Sequence, residues 1–500
     1  MYSRIYLHLH INNNIMFIMK TKVLLSITAM LLNFAMASGQ ASGWNNGGGN
    51  SQRNGYSDVV GPTTDSILWQ VTSPGAFGTP AFIEGDYLVT MRFLTGNYAP
   101  VECYSLTTGD LVWSTDVTNS SGRSLPVGLQ DGRVFIVGYT DTFQDSLYAL
   151  DVTDGSRLWT FNKTVGLYIT ETVVFDASGN LYVYGNQKTY KISQASGQMI
   201  WQTPTVPMAS GSGEMAVNND NNTGYTLEQN GGLSYLWAIN LATGQKKYTH
   251  KVSALQPGGN FPQSALMVGL NGIIYTQLTE DNIAAFSDDG SKLTLLWQTQ
   301  ITGNSSFSLM CVGPDNSIYA PSGGKIIRLD PSTGNILNTS ASITQGGFFS
   351  PRLSAASNNM VYATNGENHV YAFNQNLETV WSDFLPNNNT SGVCLAPSGL
   401  AVVSGKNTIR VYTPSNSVST EEQTDNGMQL YPNPATSFCV LSADNADAGM
   451  QYILFDLSGK VVRTGITQEK HTVLDLSGVP PGTYFMKTGG TAEPVKLIRQ

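Results

Sequence analysis

Residues Leu147–Phe161 read LYALDVTDGSRLWTF, and this stretch contains the pattern that most of the chain repeats. LYAL is a short apolar run with an aromatic residue, which predicts a β-strand. The residues from Asp151 to Gly155 have turn chemistry, because glycine tolerates the positive φ of a tight hairpin. RLWTF predicts a second strand, in which Trp159 follows Gly155 by four residues.

The same spacing recurs along the chain. Three further copies keep a glycine four residues before an aromatic residue: Gly109 and Trp113, Gly197 and Trp201, and Gly244 and Tyr248. Three other copies depart from it: Gly334 precedes Asn338, Gly290 precedes Trp297 by seven residues, and Leu377 replaces the glycine before Trp381. With Trp69, these aromatic or equivalent positions follow one another at steps of 41 to 49 residues.

A period of roughly 40–45 residues with several short strands is typical of a β-propeller. Neighbouring sheets would cover each other, which explains why some strands are apolar throughout. The repeat resembles that of the PQQ-like β-propellers, whose pattern is a strand followed by A-x-D-x-x-T-G-x-x-x-W; Ala149, Asp151, Gly155 and Trp159 match it. In that family the tryptophan docks between blades. The resemblance therefore implies structural roles for Trp69, Trp113, Trp159, Trp201, Tyr248, Trp297 and Trp381, and for Gly109, Gly155, Gly197, Gly244 and Gly334.

Composition supports an all-β chain and excludes some partners. Of 500 residues only 12% are charged and 51 are glycine, and no long amphipathic helical pattern follows residue 40. The net charge of −9 argues against nucleic acid, because no basic stripe is present. The four cysteines form no CxxC motif. Cys311 and Cys394 occupy similar places in two repeats that one blade separates, so we expect buried free thiols.

The N-terminal region predicts export. We interpret residues 1–39 as upstream residues plus a signal peptide, with the true start at Met19 or Met16. The basic start at Met19 is followed by the apolar run Val23–Met36, and cleavage is expected before Gln40. This run is too short and wrongly flanked for a membrane anchor, and no other transmembrane span is visible.

The seam of the predicted ring lies between its two ends. SILWQV, with Trp69, is an outer strand that arrives before any inner strand of its own. Eight inner-strand candidates follow, beginning near residues 80, 126, 172, 215, 265, 309, 352 and 393. The last group has no outer strand after it, so we expect the strand with Trp69 to pair with Ile409–Tyr412. Residues 40–415 are thus predicted to form an eight-bladed β-propeller, with seven blades as the alternative.

A different unit follows the polar linker of residues 416–427. Residues 428–500 contain alternating strands separated by SGK and PPG turns, which predict a small Ig-like β-sandwich. This unit resembles the type A C-terminal sorting domain of the type IX secretion system of Bacteroidetes. The resemblance rests on motifs that include Pro432, Asn433, Pro434, Gly459, Lys460, Gly482 and Tyr484.

The resemblance implies passage across the inner membrane by the signal peptide, and then across the outer membrane by the type IX machinery. In that family the domain is commonly removed, and the cargo is released or fixed to surface lipopolysaccharide. The alternative is an ordinary Ig-like binding module. The expected location is secreted or at the outer cell surface.

The sequence contains no recognisable catalytic motif. HExxH, GxSxG and P-loop patterns are absent, and only His250 and His369 fall in the propeller. We expect His369 to be a solvated turn residue. Asp151, Asp154, Asp288, Asp289 and Asp330 are predicted to cap turns. The run from Asn218 to Gly224 superficially resembles a calcium loop but lacks the EF-hand spacing and closing Glu, so calcium stays an open alternative.

The resemblance also raises the question of a cofactor, pyrroloquinoline quinone (PQQ). Alcohol and glucose dehydrogenases of the wider family bind it on the propeller axis. Those enzymes typically add an adjacent Cys–Cys pair, and this chain has none. The family also includes an outer-membrane assembly lipoprotein that binds no quinone. We therefore expect no PQQ.

Three functions remain: a non-catalytic protein that binds a glycan or protein, a quinone-dependent or hydrolytic enzyme, and a structural or adhesive envelope component. We expect a monomer. Residues 93–99, 143–146 and 342–351 are candidates for lining a binding face.

Overall fold

The computed structural model describes part of the chain, and every structural statement below concerns that part. It comprises residues 43–72, 75–77, 81–94, 98–118, 122–140, 146–161, 163, 173–185, 188–204, 215–230, 233–254, 266–279, 281–302, 310–343, 352–366, 368–385, 392–405, 407–414, 428–431, 433, 435–443, 449–456, 459–467, 471–488 and 494–499. The predicted signal peptide and linker lie outside it. The described elements are all β-strands, and none of the described residues forms a helix that could span a membrane.

The strands before residue 415 form eight sheets. Four strands precede the repeats: β1 (Gly43–Trp44), β2 (Tyr56–Ser57), β3 (Ile67–Thr72) and β4 (Ala76–Phe77). The first sheet contains β5 (Phe82–Glu84), β6 (Tyr87–Phe93), β7 (Val101–Ser105) and β8 (Leu111–Thr115). The second contains β9 (Gly122–Gln130), β10 (Arg133–Thr140), β11 (Ser146–Asp151) and β12 (Arg157–Thr160). The third contains β13 (Val174–Phe175), β14 (Leu181–Gly185), β15 (Lys188–Ile192) and β16 (Met199–Gln202). The fourth contains β17 (Ala216–Asn218), β18 (Thr223–Asn230), β19 (Leu233–Asn240) and β20 (Lys246–Ala254).

The remaining four sheets repeat this order. The fifth contains β21 (Met267–Val268), β22 (Ile274–Thr279), β23 (Asn282–Asp288) and β24 (Leu293–Gln300). The sixth contains β25 (Cys311–Val312), β26 (Ile318–Ser322), β27 (Lys325–Leu329) and β28 (Ile336–Thr339). The seventh contains β29 (Ser354–Ala356), β30 (Val361–Thr364), β31 (His369–Phe373) and β32 (Thr379–Phe384). The eighth contains β33 (Val393–Leu395), β34 (Ala401–Ser404) and β35 (Thr408–Tyr412), and β3 is its fourth strand.

The pairing of β3 with β35 joins the beginning of the repeats to their end. Trp69 lies opposite Val411, and Ile67 lies opposite Tyr412. The predicted pairing of these strands is therefore confirmed. In addition, the inner strand β33 of the last sheet lies beside β5 of the first, so the series of sheets returns to its start and leaves no open seam.

An apolar layer fills the boundary between neighbouring sheets. Along β10, Val134 and Ile136 belong to the cluster shared with the first sheet, whereas Phe135 and Val137 belong to the cluster shared with the third. Successive side chains of a strand point to opposite faces, so a sheet covered on both faces needs apolar residues at both positions. This explains the continuous apolar runs of the sequence.

A β-bulge interrupts the outer strand of each sheet at the same place. The register shifts between Cys103 and Tyr104, and Val112 is the extra residue opposite them. We call the equivalent residues the bulge residues, and they are Leu68, Val112, Leu158, Ile200, Lys247, Leu296, Leu337 and Val380. A bulge bends an edge strand and discourages pairing with another chain.

The C-terminal residues form two further sheets. One has the order β36 (Met428–Tyr431), β37 (Phe438–Ala443) and β40 (His471–Asp475). The other has the order β39 (Val461–Ile466), β38 (Gln451–Asp456), β41 (Gly482–Thr488) and β42 (Val495–Arg499). One apolar core unites them, since it contains Leu441 and Leu474 from the first sheet and Leu454 and Met486 from the second.

Candidate functional site

The Gly- and Asn-rich residues 43–57, here called the axial segment, run along the inner strands of seven sheets. β1 pairs with β5 of the first sheet, and β2 pairs in parallel with β29 of the seventh. Between them, backbone N–H groups of the inner strands donate to the segment at 2.8–3.0 Å: Leu129 to Asn45, Phe175 and Val217 to Ser51, Val268 to Gln52, Val312 to Asn54, and Ala355 to Gly55. One short stretch of chain therefore bonds to seven successive sheets.

The composition of the axial segment suits this role. The inner strands end their sheets, and their buried N–H groups need acceptors. Close approach to them requires glycine at two positions. A Cβ on Gly43 would lie 1.8 Å from the carbonyl oxygen of Ile83, and a Cβ on Gly55 would lie 2.7 Å from that of Leu353. Gly55 also has a φ of +62°.

Several polar side chains of the axial segment are buried, and that of Asn54 is hydrogen-bonded through both its amide groups. Asn46 and Asn54 have no exposed surface, and Arg53 is 1% exposed. Nδ2 of Asn54 donates to the carbonyl of Val268 at 3.1 Å, and its Oδ1 accepts from Nδ2 of Asn50 at 2.8 Å. The chain itself thus fills the interior at this level of the ring.

This arrangement does not fit a quinone at the same level. The indole of Trp44 is 4% exposed, and it packs with the last and first sheets. Arg53 is likewise buried, at 1% exposed. We therefore derive no reaction step through PQQ.

The acidic turn residues bind backbone N–H groups of their own turns. Asp151 accepts from Thr153, Asp154 from Ser156, and Asp330 from Ser332 and Thr333, all at 2.8–2.9 Å. Asp288 accepts from Gly290, and Asp289 accepts from Ser291 and Lys292. The hydrogen bonds from Ser156 lower the pKa of Asp154, and those from Thr333 and Ser332 lower the pKa of Asp330. The predicted capping role is confirmed.

Both propeller histidines pack against aromatic rings, and His250 meets Phe286 edge-on. Nδ1 of His250 lies 3.0 Å from the carbonyl of Leu293. His369 was expected to be a solvated turn residue, and this is wrong: it begins β31, it is half-buried, and its ring stacks on Tyr371 and meets Phe384 edge-on. Aromatic packing at the strand end holds it there.

The cysteines are free and buried, as predicted. Burial raises the pKa of the Cys103, Cys394 and Cys439 thiols to about 12, so they are poor nucleophiles near neutral pH. No group of three His, Cys, Asp or Glu side chains suited to a metal occurs among the residues that the structure describes.

The turn from Asn218 to Gly224 is a poor fit for calcium. The Asn218 side-chain oxygen accepts from the N–H of Asp220 at 3.1 Å. The ammonium of Lys247 donates to Thr223 Oγ1 at 2.6 Å and to the Asn221 carbonyl at 3.4 Å. Oxygens that already face N–H groups and a positive charge are unfavourable ligands for a divalent cation.

Five of the repeated tryptophans join their own sheet to the next one. The indole Nε1 donates to the residue three positions before the turn glycine of the following sheet, at 2.7–3.1 Å: Trp69 to Leu106, Trp113 to Val152, Trp159 to Gln194, Trp201 to Leu241 and Trp297 to Pro331. The indoles lie against Gly109, Gly155, Gly197, Gly244 and Gly334, where an added Cβ would be 2.5–2.8 Å from the ring.

The remaining repeat positions use other contacts. The hydroxyl of Tyr248 donates to Asp288, and the indole of Trp381 donates to the carbonyl of Pro62 at 3.3 Å. From the sequence, Trp44, Arg53 and Gly55 resemble the lead-in that precedes the first strand of PQQ-like propellers, but the bonds of the axial segment to seven sheets were not predicted. Sequence reasoning gave the tryptophans as docking between blades, but it did not predict that each indole packs on the turn glycine of the following repeat.

Two of the sorting-motif residues, Asn433 and Tyr484, make hydrogen bonds within the C-terminal fold. Asn433 bridges to β42, because its Nδ2 donates to the Lys496 carbonyl at 2.7 Å and its Oδ1 accepts from the Ile498 N–H at 2.8 Å. The hydroxyl of Tyr484 donates to the Pro480 carbonyl at 2.6 Å.

The other motif residues are placed as follows. Gly459 has a φ of +82° in the turn before the exposed Lys460, and Gly482 begins β41. Pro432 and Pro434 lie outside the described residues. The same holds for residues 95–97, 143–145 and 344–351 of the candidate binding loops.

Comparison with known families identifies both parts of the chain. A family model described as outer membrane protein assembly factor BamB matches residues 54–256, 144–310 and 279–424. A model described as secretion system C-terminal sorting domain matches residues 429–498. A search of curated protein sequences found no match.

Solved structures share the fold at low sequence identity. BamB from Moraxella catarrhalis is 14% identical, with a TM-score of 0.50 over 69% of this chain and 98% of that one. A quinohemoprotein alcohol dehydrogenase from Comamonas testosteroni is 12% identical, with a TM-score of 0.57 over 80% and 84% of the two chains. A second such dehydrogenase, from Pseudomonas putida HK5, is 12% identical, with a TM-score of 0.55 over 79% and 83%.

Proposed function

Because the chain belongs to the family of BamB-like, PQQ-type repeat proteins and ends in a type IX sorting domain, we propose that it is an exported, non-catalytic binding protein. Residues 40–415 form an eight-bladed β-propeller, and residues 428–500 form an Ig-like sandwich that directs export. The mature protein acts outside the outer membrane, either released or held at the cell surface, and its ligand is a protein or a glycan.

The axial segment is the observation that carries the non-catalytic assignment. Quinone enzymes of the wider family use the propeller axis for their cofactor, whereas here residues 43–57 bond to seven inner strands in the interior. The side chains of Trp44 and Arg53, in the same segment, are buried as well. A ring held together by its own chain is a rigid support for binding loops.

The binding face is proposed at the end of the ring opposite the Gly–Trp contacts. At the Gly–Trp end the turns are short, and their carboxylates and glycines are already engaged. The chain between successive sheets includes residues 205–214 and 255–265, which are rich in Ser, Gly and Pro and lie outside the described residues. Longer connections offer more varied side chains to a ligand.

A quinone assay tests the non-catalytic assignment. The purified mature chain is incubated with PQQ and Ca²⁺, and absorbance after desalting and dye-linked oxidation of primary alcohols and glucose are measured. We expect no retained quinone and no dye reduction. Stoichiometric retention with turnover would instead establish a dehydrogenase.

A binding assay separates a ligand-binding protein from a purely structural envelope component. The chain is applied to an array of bacterial surface glycans, and it is cross-linked to intact cells of its host for pull-down. We expect saturable binding. Replacement of residues 205–214 by a Gly-Ser linker should abolish it. Absence of saturable binding in both assays would favour the structural role.

Deletion of residues 428–500 tests export. The truncated propeller should accumulate in the periplasm, while the full chain reaches the surface or medium. Unchanged surface appearance of the truncated protein would reject the sorting role.

A further inference from the structure

The outer face of the three-stranded C-terminal sheet is apolar and covered. Along β37, Cys439 and Leu441 belong to the core of the C-terminal sheets, whereas Val440 between them points the other way. Val440 has no exposed surface and belongs to the apolar cluster of the seventh, eighth and first sheets of the ring. Phe438 packs against that cluster, as does Val473, which lies opposite Val440 in the register.

The bulge residues indicate where this face rests. Six apolar bulge residues are 44–50% exposed: Val112, Leu158, Ile200, Leu296, Leu337 and Val380. Leu68 holds the equivalent position in the eighth sheet, yet it is only 8% exposed. It belongs to the same cluster as Val440. Because the local backbone is repeated, a covering group at the eighth sheet explains the difference.

We propose that the sorting domain docks on the outer edge of the eighth sheet, with Phe438, Val440 and Val473 over Leu68, and so presents its four-stranded sheet to the export machinery. This inference rests on the proposed sorting function. The folded propeller thereby orients its own export signal, which the linker alone would leave free to rotate.

The edge strand β39 is the surface that docking leaves available. Val461 is 52% exposed and Ile466 is 65% exposed, the highest value among the large apolar side chains that the structure describes. Edge strands with exposed apolar side chains readily accept a partner strand. With the opposite sheet covered, this edge is the apolar surface that an outer-membrane component of the export machinery would contact.

Hydrogen exchange in the full-length chain tests the docking contact. Leu68→Asp should raise amide exchange in β37 and β40 at least tenfold, because a buried charge would expel the apolar face. Leu158→Asp is the matched control at an exposed bulge residue and should change that exchange less than twofold. Val440→Asp disrupts the contact from the other side without touching the eighth sheet, and it should reproduce the effect. The docking would be overturned if amide exchange in β37 and β40 were the same in Leu68→Asp, Val440→Asp and Leu158→Asp.

Surface appearance in the producing bacterium tests the presented face. The double variant Val461→Asp, Ile466→Asp should lower surface protein at least tenfold, because it alters the presented edge itself. Val440→Asp should lower it about threefold, because it frees the domain to rotate but leaves β39 intact. An unchanged surface level in Val440→Asp would overturn the orienting role of docking, and a larger loss in Val440→Asp than in the double variant would show that the covered face is the one recognised. If deletion of residues 428–500 leaves surface appearance unchanged, the sorting function fails, but the exchange experiment still decides the docking.

Discussion

Trp159 and Gly197 meet across the boundary between the second and third sheets. Nε1 of Trp159 donates to the Gln194 carbonyl at 2.9 Å, and a Cβ on Gly197 would lie 2.5 Å from Cε3 of the indole. Gly197 has a φ of +68°. The glycine therefore allows the tight turn of its own hairpin and also leaves room for the neighbouring indole. The two residues in contact belong to successive repeats.

Gly197→Ala is expected to lower the free energy of unfolding by about 2–5 kcal/mol. The left-handed backbone costs an alanine about 1–2 kcal/mol, and overpacking against the indole adds about 1–3 kcal/mol. Urea denaturation followed by tryptophan fluorescence measures the change.

Gly290→Ala is the matched control for that substitution. Gly290 has a φ of +84°, but nothing lies within 4 Å of its added Cβ, so only the backbone cost of about 1–2 kcal/mol applies. Equal losses in the two variants would contradict the interlocking role of the indole.

The boundary between the sixth and seventh sheets lacks both the tryptophan and the glycine of the Gly–Trp contact. Asn338 stands where the sixth sheet would supply an indole, and Leu377 stands at the turn position of the seventh with a φ of +64°. Leu377 is 3% exposed and packs in the cluster shared by the two sheets. We infer that the leucine side chain fills space that an indole fills elsewhere.

A double-mutant cycle tests this exchange. Asn338→Trp alone should destabilise the protein by about 1–3 kcal/mol, because the indole meets an occupied site. Adding Leu377→Gly should restore stability, with a coupling energy of about 1–3 kcal/mol in thermal or urea unfolding. Additive effects would contradict a shared site.

The periodic part of the fold was accessible from sequence because each repeat records its own turn and strand chemistry. Even the seam was accessible, since Trp69 lay in a strand that lacked neighbours. The partner of each glycine could not be predicted from the sequence. The spacing Gly-x-x-x-Trp is constant within a repeat, whereas each glycine contacts the tryptophan of the preceding repeat. The axial segment occurs once, and its bonds go to seven distant strands, so no local pattern records them.

Asn54→Ala tests the contribution of the axial segment to the ring. The Asn54 side chain is fully buried and bonds to Val268, Asn50 and the N–H of Tyr56, so its removal leaves several polar groups without a partner. We expect a loss of about 2–4 kcal/mol. The exposed Asn335→Ala should change stability by less than about 0.5 kcal/mol. Similar small effects of both variants in urea unfolding would show that the segment merely lies against the ring.

The buried thiols predict a loss of stability in alkaline solution. Burial raises the pKa of Cys394 to about 12, whereas an unfolded thiol titrates near 8.5. Protons therefore leave the unfolded chain first, so the stabilising effect is complete below about pH 8.5 and is lost as the pH rises towards 12. Each such thiol contributes a slope of up to about 1.4 kcal/mol per pH unit. Cys394→Ala should lower stability at pH 7, but its urea-unfolding free energy should fall less steeply between pH 9 and 11 than that of the unaltered chain. Parallel curves for the two proteins would mean that this thiol does not titrate differently on folding.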